Sequence, residues 1–401
     1  MREARRGVME RWGRLPGLSG TRATTCSALF ALLGCSLFEG PTRDTGESSR
    51  ILWALESRDN VGLPWFDAHS VYFLGRSHSV WAVDKRSGSV RWEVQLPLNR
   101  ARAVGRGGFV IGDRLIVVDE HVFGLSVIDG RIAWEFAPFD GTDFLRDVPE
   151  YWNGMALVGS SNGNVLGVDV EDGTERWRAR VAEGTNVAVY ITPVQDGVLY
   201  YTTVDFDALP NGEPQGGIGA LNATTGELKW WRLIPYHIDP LSPTATIDPV
   251  VVGSTVIAGS RDGPLYGFDS ASGAQRWKVE PMPTQATEPK FIRDIRWLAT
   301  CQGVVYAGST SRMVSAINPA TGQELWRTVP SPLGDAALVW CDSRAVFVLF
   351  PGGQLEVFEA LSGRRLWAIT GRDYHFTYGV AVDGDRFYGG GLYGLYAVRR
   401  D

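Results

Sequence analysis

The chain has 401 residues, of which 21% are charged and 44% hydrophobic, and its formal net charge is −6 at pH 7. An acidic chain with only four lysines is a poor binder of nucleic acid or of an anionic membrane surface, because both kinds of binding need clustered basic side chains. The 48 glycines and the many strand-forming residues favour an all-β domain, and beyond the first 34 residues no stretch is apolar for long enough to cross a bilayer.

The amino terminus is typical of a secretory signal, because six arginines precede a short apolar run at 26–34. The run leads into LLGC (32–35), which resembles the box of bacterial lipoproteins, where the cysteine is lipidated and becomes the new N-terminus. This resemblance predicts that Cys35 is the lipid attachment residue, and Ser36 after it favours the periplasmic face of the bacterial outer membrane. The alternative is an ordinary cleaved signal with an incidental cysteine.

The chain is therefore predicted to have three parts. Residues 1–34 are a lipoprotein signal peptide, and translation starts at Met1 or at Met9. Residues 35–49 are a short flexible tether, rich in small and polar side chains, and residues 50–401 form one domain.

The domain is built from a repeat, since seven tryptophans end the same thirteen-residue phrase. The copies are VWAVDKRSGSVRW (80–92), VFGLSVIDGRIAW (122–134), VLGVDVEDGTERW (165–177), IGALNATTGELKW (218–230), LYGFDSASGAQRW (265–277), VSAINPATGQELW (314–326) and LEVFEALSGRRLW (355–367). A repeat of strand-like units with a period near forty residues predicts a β-propeller.

Each part of the phrase has a structural interpretation. Alternating large and small apolar residues predict a strand, and the small residue (Ala82 or Gly124, for example) indicates close approach of a neighbouring layer. An Asp or Asn then starts a turn, and the glycine four residues later fits a hairpin position with positive φ. The tryptophan lies on the return strand and fills the gap between blades. We predict this docking role, and not a ligand cage, for Trp53, Trp92, Trp134, Trp177, Trp230, Trp277, Trp326 and Trp367.

A short strand pair precedes each phrase, so each unit has room for four strands. Extra length collects in units four to six, where successive tryptophans are 53, 47 and 49 residues apart. The long segments are 205–216, 234–244 and 281–294, and in four-stranded blades they emerge on one face while tight hairpins occupy the other.

Apolar side chains in these proline-rich loops are candidate anchors for a protein partner, because binding through loops stiffened by proline loses little entropy. The candidate partner-binding residues are Phe206, Leu209, Tyr236, Ile238 and Phe291. Two alternatives stay open: the extra length is simple drift in surface loops, or these side chains fold back and cap the central channel.

Two cysteines occupy nearly equivalent places in neighbouring units. Cys301 and Cys341 precede their blade tryptophans by 25 and 26 residues and come just after the predicted innermost strand. An oxidising compartment allows a disulfide between them. The alternative is a pair of small buried residues that are too far apart for bridging geometry.

The last repeat is divided between the two ends of the chain. Trp53 has no phrase before it, and the missing first half stands at 395–398 as LYAV. We predict strands near 376–382, 385–389 and 392–398, with the fourth strand of this blade supplied by residues 50–56. The fold class is therefore all-β, a single eight-bladed β-propeller of four-stranded antiparallel blades whose ring is closed by the N-terminal strand.

The phrase, a small apolar residue followed by Asp-x-x-Thr-Gly-x-x-x-Trp, resembles the repeat of the PQQ-type, or quinoprotein-like, propeller superfamily. The resemblance covers residues 50–401, whereas the Gly-His and Trp-Asp signatures of WD40 propellers are missing. The superfamily includes quinoprotein dehydrogenases and outer-membrane assembly lipoproteins. The second group implies a non-catalytic, lipid-anchored envelope scaffold that binds a protein partner in β-barrel assembly.

The dehydrogenases of the superfamily use a calcium-held quinone, an Asp base and often two adjacent cysteines. This chain has no Cys-Cys pair and no Cys-x-x-Cys-His haem attachment, and its five histidines show no metal-ligand spacing. We therefore predict no catalytic residue, no cofactor and no metal ligand. The main alternative to the assembly scaffold is another binding or sensing role in the cell envelope, such as recognition of a quinone or a sugar.

Overall fold

A computed structural model describes most of the propeller domain. The described residues are 50–56, 61–98, 107–138, 145, 148–184, 186–205, 215–235, 248–259, 264–279, 295–309, 313–328, 338–350, 355–369, 376–391 and 394–399. In them the regular elements are β-strands, grouped in eight four-stranded antiparallel sheets. Within these ranges no helix is long and apolar enough to cross a bilayer.

The sheets follow one another along the chain as the blades of a propeller. Blades one to three comprise β2 (Trp65–Phe66), β3 (Ser70–Leu74), β4 (Ser79–Asp84) and β5 (Val90–Gln95); β6 (Gly107–Ile111), β7 (Arg114–Val118), β8 (Val122–Ser126) and β9 (Ile132–Phe136); β10 (Glu150–Trp152), β11 (Met155–Gly159), β12 (Asn164–Asp169) and β13 (Glu175–Arg180). Blades four and five comprise β14 (Val187–Ile191), β15 (Val198–Asp205), β16 (Gln215–Asn222) and β17 (Leu228–Pro235); β18 (Val250–Val252), β19 (Thr255–Gly259), β20 (Leu265–Asp269) and β21 (Gln275–Val279). Blades six and seven comprise β22 (Ile295–Cys301), β23 (Val304–Ser309), β24 (Val314–Ile317) and β25 (Glu324–Thr328); β26 (Leu338–Cys341), β27 (Ala345–Leu349), β28 (Leu355–Glu359) and β29 (Arg365–Ile369). Blade eight comprises β30 (Phe376–Asp383), β31 (Arg386–Gly391), β32 (Gly394–Arg399) and β1 (Ile51–Glu56).

The N-terminal strand closes the ring, as predicted. In blade eight the strand order is β1-β32-β31-β30, and Trp53 on β1 lies opposite Ala397 on β32. The eight-bladed all-β fold is thus confirmed.

In each blade the first strand is innermost and the fourth is outermost. First strands of neighbouring blades contact one another, as β18 and β22 or β22 and β26 do. Fourth strands instead carry exposed side chains, as in β5 and β13. Eight hydrophobic clusters of described residues fill the spaces between successive blades, so the core lies between sheets and not within one layer.

The phrase tryptophans join each blade to the next. Trp53 donates a hydrogen bond from Nε1 to the carbonyl of Lys85 in blade one, at 3.0 Å. Five further indoles reach the equivalent carbonyl of the following blade: Trp92 to Val127, Trp134 to Val170, Trp230 to Ser270, Trp277 to Pro319 and Trp326 to Ala360. The Nε1 of Trp177 has no hydrogen-bond partner among the described residues, although its ring packs in the same way.

The turn glycine of the phrase receives the tryptophan of the preceding blade. Gly173 has φ +75°, and a Cβ placed on it would lie 2.5 Å from the ring of Trp134. The same pairing recurs at Gly88, Gly130, Gly226, Gly273, Gly322 and Gly363. Two separate requirements, a left-handed backbone and an unobstructed ring surface, therefore select glycine.

The small residue of the phrase is small for a different reason from the one predicted. A Cβ on Gly124 would lie 2.2 Å from the indole of Trp134, which is opposite it on the return strand of the same blade. Ala82 faces Trp92 in the same register. The prediction of a close neighbouring layer was wrong: the residue is small because the tryptophan of its own blade lies over it.

Trp367 departs from this pattern, because the divided blade eight offers no phrase turn to receive it. The guanidinium of Arg50 lies instead 4.7 Å from the centroid of the Trp367 ring, and Phe387 of blade eight stacks on that ring. Arg50, just before β1, thus covers the contact between blades seven and eight.

Candidate functional site: the loop-rich face

Two kinds of connection emerge on one side of the ring, which we call the loop-rich face. They are the connections from the second to the third strand of each blade and those from one blade to the next, since all strands within a blade are antiparallel. The long segments of blades four and five start here, at the ends of β15, β17 and β21. Phe206, Leu209, Tyr236, Ile238 and Phe291 lie outside the described residues, as does Cys35.

A buried contact between a histidine and an aspartate links blades one and two on this face. Nδ1 of His78 lies 2.6 Å from Oδ2 of Asp119, and the two side chains are 4% and 0% exposed. His78 sits in the turn between β3 and β4 with φ +65°, and its carbonyl accepts the backbone N–H of Leu96 at 2.9 Å. Polar side chains this deeply buried need a hydrogen-bond partner, so the contact fixes the two turns relative to each other.

A second histidine contact, between His121 and Glu135, holds the other end of the turn that contains Asp119. Nδ1 of His121 lies 2.6 Å from Oε1 of Glu135, on the outer strand of blade two, and both side chains are partly exposed. The segment 119–121 is thus bound to blade one at its first residue and to its own blade at its last. The segment 119–121 of the loop-rich face is therefore polar and is held at both ends by side-chain contacts.

The turn between β11 and β12 packs onto blade four. Gly163 donates its N–H to the carbonyl of Val187 at 2.8 Å, and buried Ser160 accepts the N–H of Asn164 at its hydroxyl, at 3.1 Å. Backbone bonds of this kind couple blades three and four where the long loops of blade four begin.

Two carboxylates interact at the inner edge of the loop-rich face. Glu150 is the first residue of innermost strand β10, and Asp248 stands two positions before the first residue of innermost strand β18, so both stand where a first strand enters its blade. Burial raises the pKa of Glu150 to about 7, and the negative charge of Asp248 adds to the rise. The nearby negative charge therefore helps to keep a proton on Glu150 near neutral pH.

Sequence analysis did not single out Glu150 or Asp248. A signal was present, because each is an acidic residue next to a proline at the entry to an innermost strand (PEYW and DPVV). Their interaction across 98 positions depends on ring geometry, which local patterns do not show.

Cys301 and Cys341 are joined by a disulfide with a Cα–Cα distance of 6.0 Å. They end the innermost strands of blades six and seven, on the face opposite the long loops. Innermost strands of adjacent blades do approach closely enough for a bridge. Among the described residues no three His, Cys, Asp or Glu side chains form a group that could hold a metal ion.

Eight four-stranded blades, docked in series by the tryptophan and glycine of one repeated phrase, define a PQQ-type β-propeller. A family model described as outer membrane protein assembly factor BamB matches residues 44–203 and 141–369. The chain belongs to this BamB family.

Individual relatives are more distant. The outer membrane protein assembly factor BamB of Burkholderia pseudomallei (strain K96243) is 28% identical over 285 residues, which cover 69% of this chain and 68% of that protein. The crystal structure of BamB from Moraxella catarrhalis has a TM-score of 0.63 at 17% identity and covers 88% of this chain and 97% of its own. The polyvinylalcohol dehydrogenase of Sphingopyxis sp. (strain 113P3) is 24% identical over 264 residues, covering 62% of this chain and 35% of that enzyme. The propeller is therefore shared with both assembly factors and enzymes.

Proposed function

We propose that this chain is a non-catalytic, lipid-anchored scaffold of the BamB type that holds a protein partner during the assembly of outer-membrane β-barrel proteins. The family match over most of the propeller supports the assembly role. In this proposal the protein sits on the periplasmic face of the outer membrane, attached through Cys35 of the LLGC box, and residues 35–49 tether the ring.

The observation that carries the binding role is the acidic pair at the inner edge of the loop-rich face. A glutamate whose pKa is raised to about 7 by burial and by a neighbouring aspartate is stabilised in its charged form by a nearby cation. We infer that a basic side chain of the partner docks between Glu150 and Asp248. The candidate anchors Phe206, Leu209 and Tyr236 would supply further, apolar contacts to the partner.

Affinity capture from envelope membranes tests this proposal. The tagged protein should retain a subunit of the barrel-assembly machinery, and Asp248→Asn should reduce its recovery about tenfold or more, because a desolvated interfacial charge pair is lost. Leu209→Ser with Ile238→Ser should also abolish recovery if these loops are anchors. Glu183→Gln, on a side chain that is 94% exposed, is the matched control and should leave recovery unchanged.

The thermal midpoint of each variant separates binding from packing. Unchanged recovery in Asp248→Asn, with a normal melting transition, would exclude the acidic pair as the contact. A drop in stability with recovery preserved in the Leu209 and Ile238 variant would assign those side chains to packing. Recovery of an unrelated envelope complex would favour the alternative binding or sensing role.

The similarity to a dehydrogenase supports a second candidate, a quinone-dependent oxidoreductase. The cysteines do not fit that group, because the resemblance implies two adjacent cysteines beside the quinone. Here Cys301 and Cys341 are 40 positions apart and bridge two blades instead. Dye-linked alcohol oxidation by the purified protein, supplied with PQQ and calcium, would establish the enzyme if turnover were observed.

A further inference from the structure

The outermost strand of blade four differs from the other seven. Strand β17 (Leu228–Pro235) has eight residues, whereas the other fourth strands have five or six. Leu228, Trp231 and Leu233 on it are 56%, 40% and 48% exposed. Exposed apolar side chains gathered on one strand, and not scattered singly, mark a contact surface.

Trp231 occupies a position that is polar or small in every other blade. The residues that directly follow the docking tryptophan elsewhere are Ala54, Glu93, Glu135, Arg178, Lys278, Arg327 and Ala368. Charged side chains at this rim position keep the edge soluble and discourage pairing with other chains. A tryptophan there reverses that protection in one blade alone.

The indole of Trp231 is held in place by its own sheet. A Cβ on Gly217 of β16 would lie 2.4 Å from its Nε1, so the ring lies directly against the glycine backbone. Gly217 is itself fixed, because its N–H donates to Oγ1 of Thr203 at 2.9 Å. A tryptophan that is already ordered loses little conformational entropy on binding, which is typical of interface anchors.

The two charged side chains within β17, Lys229 and Arg232, are both basic. Arg232 directs its guanidinium to two backbone carbonyls, those of Trp231 and Ser272, each at 2.7 Å. Lys229 is exposed, and the described residues offer it no carboxylate partner. By contrast, Arg276 on the rim of blade five is paired with Asp269. Among the described residues no carboxylate forms an ion pair with Lys229 or Arg232, so β17 carries two positive charges in a chain whose net charge is −6.

We propose that this rim patch, defined by Leu228, Lys229, Trp231, Arg232 and Leu233, is a docking surface for an extended acidic segment of a protein partner. Apolar side chains of the segment pack on Trp231 and Leu233, and its carboxylates pair with Lys229 and Arg232. Exposed apolar and basic side chains follow one another along a single edge strand, so an extended protein segment with complementary side chains matches the patch better than a lipid surface does. The inference depends on the rim of blade four alone, not on the loop-rich face.

Fluorescence anisotropy with a defined probe tests the proposal. The probe is a short dye-labelled peptide in which glutamate alternates with leucine, and the matched probe has lysine in place of every glutamate. The full chain should bind the glutamate peptide and not the lysine peptide. Trp231→Ala should weaken binding about tenfold or more, and Lys229→Glu should weaken the glutamate peptide and strengthen the lysine peptide.

Leu325→Ser is the matched control, because Leu325 is a 51% exposed leucine on the outermost strand of blade six. It should bind the glutamate peptide as the parent does, and all variants should melt at the parent temperature. Equal binding of both peptides, or equal loss in Leu325→Ser and Trp231→Ala, would overturn the proposal. Binding of the parent to phosphatidylglycerol vesicles that disappeared in Trp231→Ala would also overturn the proposal, because the occupant would then be lipid. Self-association in sedimentation that disappeared in the same variant would overturn it too, because the occupant would then be a second copy of the chain.

Discussion

At the scale of single residues, the phrase glycine shows how one position meets two physical demands. Gly173 has φ +75°, a conformation that costs a residue with a side chain about 1–2 kcal/mol. Its Cα also forms the surface on which Trp134 of the preceding blade rests. Gly154 has nearly the same φ, +82°, but nothing lies within 4 Å of where its Cβ would be. The two glycines therefore separate backbone strain from blade docking.

We expect Gly154→Ala to lower the free energy of unfolding by about 1–2 kcal/mol, which is the strain alone. Gly173→Ala should cost about 2 kcal/mol more, because the added methyl displaces a packed indole. Urea unfolding followed by tryptophan fluorescence measures both values. Equal losses in the two variants would show that the tryptophan moves aside without penalty.

Glu150 provides a prediction on pH. Its folded-state pKa is about 7, above the ordinary value of 4.5, so the folded protein holds a proton that the unfolded chain releases. Stability from this group is present at acidic pH and is lost as pH rises from about 4.5 to 7. Glu150→Gln should therefore be about 1–3 kcal/mol more stable than the parent near pH 8, with the gap closing near pH 5.

Partner binding should respond in the opposite direction. If a basic side chain docks at this glutamate, its ionisation above pH 7 strengthens the contact, and Glu150→Gln loses that gain. Unfolding and capture measured on the same preparations at both pH values give the two slopes. A stability gap between Glu150→Gln and the parent that did not change with pH would refute the buried, proton-holding carboxyl.

At the scale of strands, the sequence predicts what the chain specifies locally. The Asp- or Asn-to-Gly turn and the tryptophan locate the third and fourth strands of seven blades. The divided repeat locates blade eight, where β30 spans Phe376–Asp383 against a predicted 376–382. Contacts that depend on ring closure cannot be predicted from local sequence patterns. The turns that bring His78 to Asp119 are 41 positions apart and carry no repeated spacing, and the acidic pair spans two blades.

The register of the small phrase residue also escaped sequence analysis, for a local reason. A β-bulge between Gly124 and Leu125 shifts the pairing of β8 with β9, and Trp134 lies opposite Gly124. A pattern of large and small residues shows that something approaches closely but does not say which element does. Likewise, the repeated phrase does not single out Trp231, which the structure shows 40% exposed on the rim.

Closure by β1 predicts how the ring responds to its removal. Trp53 is 9% exposed in the cluster between blades eight and one, and Lys85 of blade one forms an ion pair with Asp383 of blade eight in the same seam. Deleting residues 50–56 should expose the edge of β32 and remove the Trp53 contact, which alone is worth about 3–5 kcal/mol. We expect a broadened, lower melting transition and association of the chains. Deleting residues 1–49 is the control and should leave the transition unchanged.

At the scale of the whole molecule, the ring presents three separate surfaces. The face opposite the loop-rich face carries the hairpins of the repeated phrase and the Cys301–Cys341 disulfide. The loop-rich face carries the acidic pair, and the long segments start there. The rim of blade four adds a third surface, away from both. Since each blade is held on two sides by neighbours, loops and rim side chains can change without disturbing the core. Anchoring and partner binding should therefore be separable by mutation.

The anchor gives the last prediction. If Cys35 is lipidated, Cys35→Ala should move the protein from the membrane pellet to the soluble periplasmic fraction, because no other lipid-bearing residue is predicted. Mass spectrometry of the parent should show acyl chains on Cys35 as the first residue. The Cys35→Ala protein, purified and immobilised, should still capture the partner, whereas membrane-bound Asp248→Asn should not. Equal membrane attachment of Cys35→Ala and the parent would refute the lipid anchor. Capture of the partner by the soluble Cys35→Ala protein is a separate measurement. If that capture were lost, anchoring and partner binding would be coupled.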